Sequence, residues 1–116
     1  MLIKKPQDIP AVPVDMEGAK DVTVRVLFGP QDKAPTFAMR LFELAGGGHT
    51  PYHSHPFEHE VIVVSGAAAV VTPEKEIPLS IGEVLLVEPD ETHQFKNRSQ
   101  TDSASFICLV PIAYQK

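Results

Sequence analysis

The amino-acid sequence predicts an all-β fold assembled from many short strands. Apolar residues recur in short runs, and along residues 22–28 they alternate with polar or smaller neighbours, as in a half-buried strand. Proline, glycine and acidic residues separate these runs, and no window shows a persuasive helical period. Short strands at this spacing favour a β-sandwich or a β-barrel.

The elements follow in order along the chain. Prolines interrupt residues 1–20, and because proline fixes φ and lacks an N–H, we expect an extended N-terminal arm there. Residues 36–44 are apolar on both parities, as a buried strand would be, and we expect the glycine run at 46–48 to end that strand. Further strands are expected at 52–55, 59–64, 67–72, 77–79, 84–87, 93–96 and 103–110. Residues 73–76 and 89–91 have the composition of turns.

Length and composition limit the classes of function. A chain of 116 residues forms one domain, which we divide into the arm at 1–20 and a β-barrel domain at 21–116. The formal net charge of −5, without a basic stripe, argues against nucleic-acid binding. We expect no signal peptide and no association with a membrane, because no apolar run approaches the ~18 residues that span one. A lone cysteine, Cys108, fits a reducing, cytoplasmic location.

A cluster of histidines is the strongest chemical signal. His53, His55 and His59 lie within seven residues, and His93 follows 34 residues after His59. Histidine is the commonest metal ligand among side chains, and alternate residues of a strand share one face. A His-x-His pair alone is also typical of a polar strand edge, so the surrounding pattern decides between these interpretations.

That pattern consists of two spaced groups. The first is Gly47, five residues, His53-x-His55, three residues, His59, six residues and Gly66. The second is Gly82, Pro89, His93, three residues and Asn97. Together they resemble the two motifs of the cupin family, over about residues 36 to 111. The run from His53 to Glu60 is also similar to that of small single-domain cupins with four histidine ligands, including manganese-binding ones.

The sequence departs from the family pattern at two places. The position of the family's ligand glutamate falls on His59 if the six-residue distance to Gly66 is kept. Glu60 is the rival, because the family tolerates one more residue there; we favour His59. In the second motif Pro89 comes one place late and Glu91 takes the glycine position, although Gly82 and His93 keep the family's distance. We interpret this as a local turn variant.

The resemblance implies a cupin-type double-stranded β-helix, that is, a jelly-roll barrel. It also implies one divalent transition metal on His53, His55, His59 and His93, and a homodimer. Imidazole suits Zn, Cu, Fe and Ni, the family adds Mn, and the sequence does not choose among them. An open coordination sphere would admit a chelating small molecule, or a substrate together with O₂. A closed tetrahedron would make the metal structural.

Weaker candidates for the pocket are Arg40, Glu60, Phe95, Phe106 and Cys108. Arg40 interrupts an apolar strand, so it either binds a substrate carboxylate or lies at an edge with its stem buried. Phe95 and Phe106 are pocket walls or core aromatics. Cys108 lies near the metal or is an inert buried thiol. Glu60 would orient an imidazole N–H, or it is a solvated carboxylate.

Three functions follow from these residues. The first is a metal-dependent oxygenase of the dioxygenase type that acts on a small organic molecule. The second is a non-catalytic protein that binds or senses a small molecule through its metal. The third is an isomerase or lyase that uses the metal as a Lewis acid. A general base free of metal-binding duty would favour the third, because function depends on the site rather than on the fold.

Overall fold

The computed structural model describes residues 1–115. Short 3-10 helices form at Pro6–Asp8, Pro30–Asp32 and Ile112–Tyr114. The strands are β1 (Val12–Pro13), β2 (Lys20–Phe28), β3 (Phe37–His49), β4 (His59–Ser65), β5 (Ala68–Val71), β6 (Glu76–Pro78), β7 (Val84–Val87), β8 (Gln94–Asn97) and β9 (Ala104–Pro111). Within residues 1–115, no helix is long and apolar enough to cross a membrane.

The strands form one curled antiparallel sheet in the order β6-β5-β8-β3-β9-β4-β7. Strand β2 pairs with β3, and β1 pairs with β2. Strand β3 is the longest and occupies the middle, between β2 and β9, and its last residue meets β8. This arrangement confirms the predicted all-β, jelly-roll barrel.

Alternation along the strands separates the core from the outer surface. In β4, Val61 and Val63 are buried, while Ile62 is 39% and Val64 44% exposed. This is the period of two that a strand imposes on its side chains. The inward residues pack around Phe95 and Phe106, which are buried in the same core. The barrel interior is therefore a filled core, and the outer face of β4 keeps apolar residues at the surface.

Strand β3 does not end at the glycine run, so that prediction is wrong. The strand continues through the glycines to His49. Gly47 adopts φ of +74°, a left-handed conformation that favours glycine, and a Cβ on Gly46 would collide with the backbone of Gln100. The glycines let the strand bend past the turn after β8, and its pairing with β2 shifts register there, between the pairs Val22–Leu44 and Lys20–His49.

Residues 52–55 do not form the predicted strand. They contain a single isolated bridge, between His53 and His93. Pro51 and Pro56 flank this stretch, and because proline has no N–H to donate to a ladder, a longer pairing is excluded there. The stretch is a loop that is attached to the barrel at one residue.

The N-terminal arm lies along β2 of its own barrel. The Arg25 guanidinium donates to the carbonyl of Ile9, and the Lys4 ammonium forms a 2.6 Å ion pair with Asp32. Lys4 also donates to the carbonyl of Leu27 at 3.0 Å. These contacts order the arm without regular secondary structure over most of its length.

Candidate metal centre

Four histidines meet at one end of the barrel. His53 and His55 lie in the loop after β3, His59 begins β4, and His93 directly precedes β8. Their ring centroids are 4.4 Å apart for His55 and His59 and 5.2 Å apart for His53 and His93. One nitrogen each from His53, His55 and His93 lies within 4.8 Å of the other two. Sequence-distant imidazoles are thus brought to one point.

Backbone pairing fixes two of these residues relative to each other. The His53 N–H donates to the His93 carbonyl at 3.0 Å, and the His93 N–H donates to the His53 carbonyl at 2.9 Å. Residues that exchange both hydrogen bonds form one ladder pair of an antiparallel sheet. The bridge therefore couples the first histidine group to the second.

Backbone carbonyls set the ring tautomers of two histidines. The Nδ1 atom of His55 lies 2.8 Å from the Phe57 carbonyl, and that of His93 lies 2.8 Å from the Glu91 carbonyl. A carbonyl oxygen only accepts, so each Nδ1 must have the proton, and a neutral ring then keeps a lone pair on Nε2. An imidazole oriented in this way is the form that binds metal ions in proteins.

His59 joins the cluster through His55 and is anchored by sulfur. Its Nε2 lies 2.6 Å from His55 Nε2, and its Nδ1 lies 2.8 Å from Cys108 Sγ. Donation from Nδ1–H to the sulfur would leave Nε2 free as a ligand. Two imidazole nitrogens this close need either one shared proton or a bound cation between them. The nitrogens of His53, His55 and His93 lie close enough together to hold a divalent transition metal.

Burial keeps three of these rings neutral. It lowers the pKa of His59 to about 2, helped by the nearby positive charge of Arg40. It also lowers the pKa of His53 and His55, with further contributions from neighbouring histidines. Neutral imidazole is the ligand form, so at neutral pH protons do not compete strongly for these nitrogens.

The histidines open into a cavity of about 220 Å³. Its wall is mostly aromatic and apolar, and includes Phe42, Phe57, Phe95, Phe106 and Tyr114. Val14 and Met16 of the arm also contribute. Within residues 1–115, no Asp or Glu lines this cavity. A larger groove of about 580 Å³ lies on the outside of β4 and β7, away from the histidines.

Arg40 and Cys108 belong to the histidine site. They face each other across β3 and β9, and Arg40 Nη2 donates to Cys108 Sγ at 3.2 Å. The guanidinium also lies 4.9 Å from the ring centre of Phe42. Cys108 is fully buried, and burial raises the pKa of its thiol while the charge of Arg40 acts in the opposite direction.

His59 and Glu60, the two candidate ligands of the first motif, face opposite sides of β4. His59 is 8% exposed and points inward. Glu60, the next residue on β4, is exposed and lines the outer groove instead of the cavity. The carboxylate of Glu91 also faces away, since it accepts a hydrogen bond from the Glu88 N–H at 3.1 Å. Neither Glu60 nor Glu91 lines the histidine cavity.

Several cavity residues were not among the predicted site residues. Phe42 has the same strand parity as Arg40, which was the available signal. Phe57 stacks on His55 at 4.0 Å and on Tyr114 at 4.1 Å between ring centroids. Tyr114 comes from the last 3-10 helix, beyond both motifs, and no local pattern indicates its place in the wall.

Comparison with known proteins agrees with this architecture. Residues 40–110 match the cupin domain, which is more than half of the chain. The chain therefore belongs to the cupin family. No curated protein sequence matches it.

Solved structures with the same fold include proteins with and without an assigned activity. The polyketide cyclase RemF from Streptomyces resistomycificus is 30% identical, with a TM-score of 0.90, over 97% of this chain and 80% of that one. A cupin 2 domain-containing protein from Halorhodospira halophila is 31% identical, with a TM-score of 0.72, over 85% and 68%. A predicted oxalate decarboxylase from Thermotoga maritima is 18% identical, with a TM-score of 0.83, over 96% and 99%, and shows the fold alone.

Proposed function

We propose that this cupin is a metal-dependent enzyme of the dioxygenase type that acts on a small organic molecule. The observation that supports this most is the convergence of four imidazoles, two of them with Nε2 freed by a carbonyl, at the base of an apolar cavity. In the proposal His53, His55, His59 and His93 hold one divalent transition metal. When bound, such an ion supplies a Lewis acid and, if it is redox-active, an electron donor for O₂ chemistry.

The chain's own residues have separate tasks in this proposal. The carbonyls of Phe57 and Glu91 orient the rings of His55 and His93. The walls from Phe95 and Phe106, whose rings lie 4.6 Å apart, exclude water from the reacting centre. Because no described carboxylate lines the cavity, chemistry that depends on a carboxylate base is less favoured than oxygenation.

A second candidate is a non-redox cyclisation or related lyase reaction. The 30% identity to a polyketide cyclase over nearly the whole chain favours it. In that case the metal acts only as a Lewis acid, and a proton would be moved by an imidazole or by the phenol of Tyr114. A non-catalytic binding protein would use the same residues without turnover.

Metal analysis and oxygen uptake separate these candidates. We expect purified protein to contain about one metal ion per chain, and His55→Ala and His93→Ala to lose it. Iron- or manganese-loaded protein should consume O₂ with one member of a panel of diketones, thiols and enols. A product that forms equally well without O₂ and with zinc would indicate the cyclase or lyase. Undiminished metal in both alanine variants would contradict the metal site itself.

A further inference from the structure

We propose that Arg40 is the specificity-determining residue of the cavity and binds the deprotonated acid group of the ligand. The ligand is then a compact aromatic or other apolar acid, with its acid group on Arg40 and a neighbouring oxygen facing the histidines. This inference rests on the proposed function, because it assigns the class of molecule that the metal site receives.

The first support is the position of the guanidinium. A single sulfur atom, Cys108 Sγ, contacts both Arg40 Nη2 at 3.2 Å and His59 Nδ1 at 2.8 Å. Arg40 also lines the same cavity as the four histidines. One small molecule can therefore reach both the guanidinium and the point where the Nε2 atoms meet.

The second support is an unsatisfied charge. Arg40 Nε is buried and has no hydrogen-bond partner. Within residues 1–115, no carboxylate lies within ion-pair distance of this guanidinium, whereas Arg25 pairs with Glu43 and Arg98 with Glu76. Arg40 is half-buried, so its charge is partly desolvated and has no counter-ion, which is costly. An oxyanion suits the planar fork of the guanidinium.

The third support is the make-up of the walls. The cavity has no described acidic residue, so the charges of Arg40 and of a divalent metal act together to favour an anion. Phe42 lies beside the guanidinium, and Phe95 and Phe106 form flat apolar surfaces. The volume of about 220 Å³ is below the roughly 300–1,000 Å³ of drug-sized pockets, which points to a small ligand.

The test uses salicylate as the probe and salicylamide as its neutral counterpart. Isothermal titration would measure both on zinc-loaded wild type, Arg40→Met, Arg40→Lys and Arg98→Met, with the zinc content of each preparation determined. Arg98→Met is the matched control, since Arg98 is half exposed and pairs with Glu76 outside the cavity. We expect Arg40→Met to weaken salicylate binding at least tenfold and to leave salicylamide unchanged. Arg98→Met should behave as wild type.

The outcomes distinguish this inference from the proposed function. Zinc-loaded Arg40→Met that binds salicylate as tightly as wild type would overturn the role of Arg40 while leaving the metal site intact. Wild type that retains zinc but does not prefer salicylate to salicylamide would overturn it as well. Wild type that binds no zinc would contradict the proposed function instead. If Arg40→Met fails to fold, Arg40→Lys decides: its preference for salicylate should fall several-fold, because an ammonium lacks the guanidinium fork, and an unchanged preference would overturn the inference.

Discussion

Three histidines of the site, His55, His59 and His93, are oriented by the partner of the second ring nitrogen. The rings of His55 and His93 donate from Nδ1 to backbone carbonyls, which are strong acceptors whose positions are fixed by the fold. His59 uses the sulfur of Cys108, a weaker acceptor that Arg40 also contacts. His59 is therefore the histidine whose orientation depends most on the side chains around it.

The register of the first motif gives the first prediction. We expect His59→Gln to weaken metal binding by more than the roughly 10- to 100-fold typical of losing a partner behind a ligand, because an inward imidazole is removed. Glu60→Gln is the matched control, since the neighbouring side chain lies on the outer surface. Titration against a competing chelator measures both. Weaker binding in Glu60→Gln and normal binding in His59→Gln would mean that the ligand is one residue later.

Burial of His59 gives a second prediction, for the metal-free protein. The folded-state pKa is about 2, against 6.5 for a free histidine, so between these values only the unfolded chain binds the proton. The free energy of unfolding should therefore fall as pH drops below about 6.5, by up to about 1.4 kcal/mol per pH unit from this group. Lowered pKa values at His53 and His55 act in the same direction.

Urea unfolding in the presence of a chelator, from pH 7 to pH 5, measures this dependence. His59→Gln should show a shallower decrease of stability with falling pH, because one buried titrating group is gone. A decrease as steep as that of wild type would show that His59 is not held neutral by the fold.

At the scale of elements, hydrogen bonds from Asn97 link β8 to the end of β3 and to the turn after β8. Its side-chain amide donates towards the carbonyls of Leu44, Ala45 and Asp102, at 3.2, 3.1 and 2.6 Å. The side-chain carbonyl of Asn97 accepts a hydrogen bond from the Ser99 N–H at 2.9 Å. The residue is 2% exposed, so these groups have no water to replace a lost partner. Asn97 thus holds the turn after β8 against the end of β3.

Removal of this amide is the third prediction. Asn97→Ala should lower the free energy of unfolding by about 1–3 kcal/mol, because it leaves buried backbone groups without partners. Arg98→Ala is the control: it removes only a half-exposed side chain and should change stability by less than about 1 kcal/mol. Urea unfolding measures both. Equal stability of the two variants would contradict a structural role for Asn97.

The strands were predictable where the period of two is clear. The runs at 59–64, 84–87 and 103–110 match β4, β7 and β9 to within a residue or so, because each alternates between core and surface. The extension of β3 was not predictable, because a run of glycines can either end a strand or let it bend. Here the close approach of the Gln100 backbone to Gly46 favours the bend, and this contact is not visible in the sequence. The loop at 52–55 was likewise misjudged, because its flanking prolines outweigh its strand-like composition.

The clustering of the four histidines was predictable, and the walls of the cavity were less so. The two spaced groups that resemble the cupin motifs singled out the histidines, and their role as metal ligands stays a prediction. The weaker candidates Arg40, Phe95, Phe106 and Cys108 lie at the cavity or in contact with the site, whereas Glu60 does not. Tyr114 was missed because it reaches the wall through tertiary packing on Phe57. The residues next to Tyr114 in the sequence do not indicate such a contact.

At the scale of the whole molecule, one outer face remains apolar. Ile62 and Val64 of β4 are partly exposed, and Val84 and Leu86 of β7 are 74% and 57% exposed. Strand β7 also ends the path of the sheet, so one of its edges has no neighbouring strand within residues 1–115. The N-terminal arm lies along β2 and leaves these side chains exposed. A contiguous exposed apolar face of this kind is typical of a protein–protein interface.

We propose a second copy of the chain as the partner, in keeping with the homodimer that the sequence resemblance implies. A two-fold axis would bring two identical apolar faces together, with Leu86 of each copy inside the interface. The fourth prediction is that wild type is dimeric and that Leu86→Lys is monomeric, since two lysines would lose their hydration inside the interface, and pairing with the cross-strand Glu60 does not fully offset that cost. Size-exclusion chromatography with light scattering gives the molar mass.

Val12→Lys is the matched control for this face. Val12 is 55% exposed and Leu86 is 57% exposed, but Val12 lies on β1 and pairs with Val24 of β2. It should leave the dimer intact. Both variants should keep the metal, because Leu86 and Val12 are exposed and neither lines the histidine cavity. A wild type that stays monomeric at every concentration, or a dimer that survives Leu86→Lys, would show that this face has another partner or none.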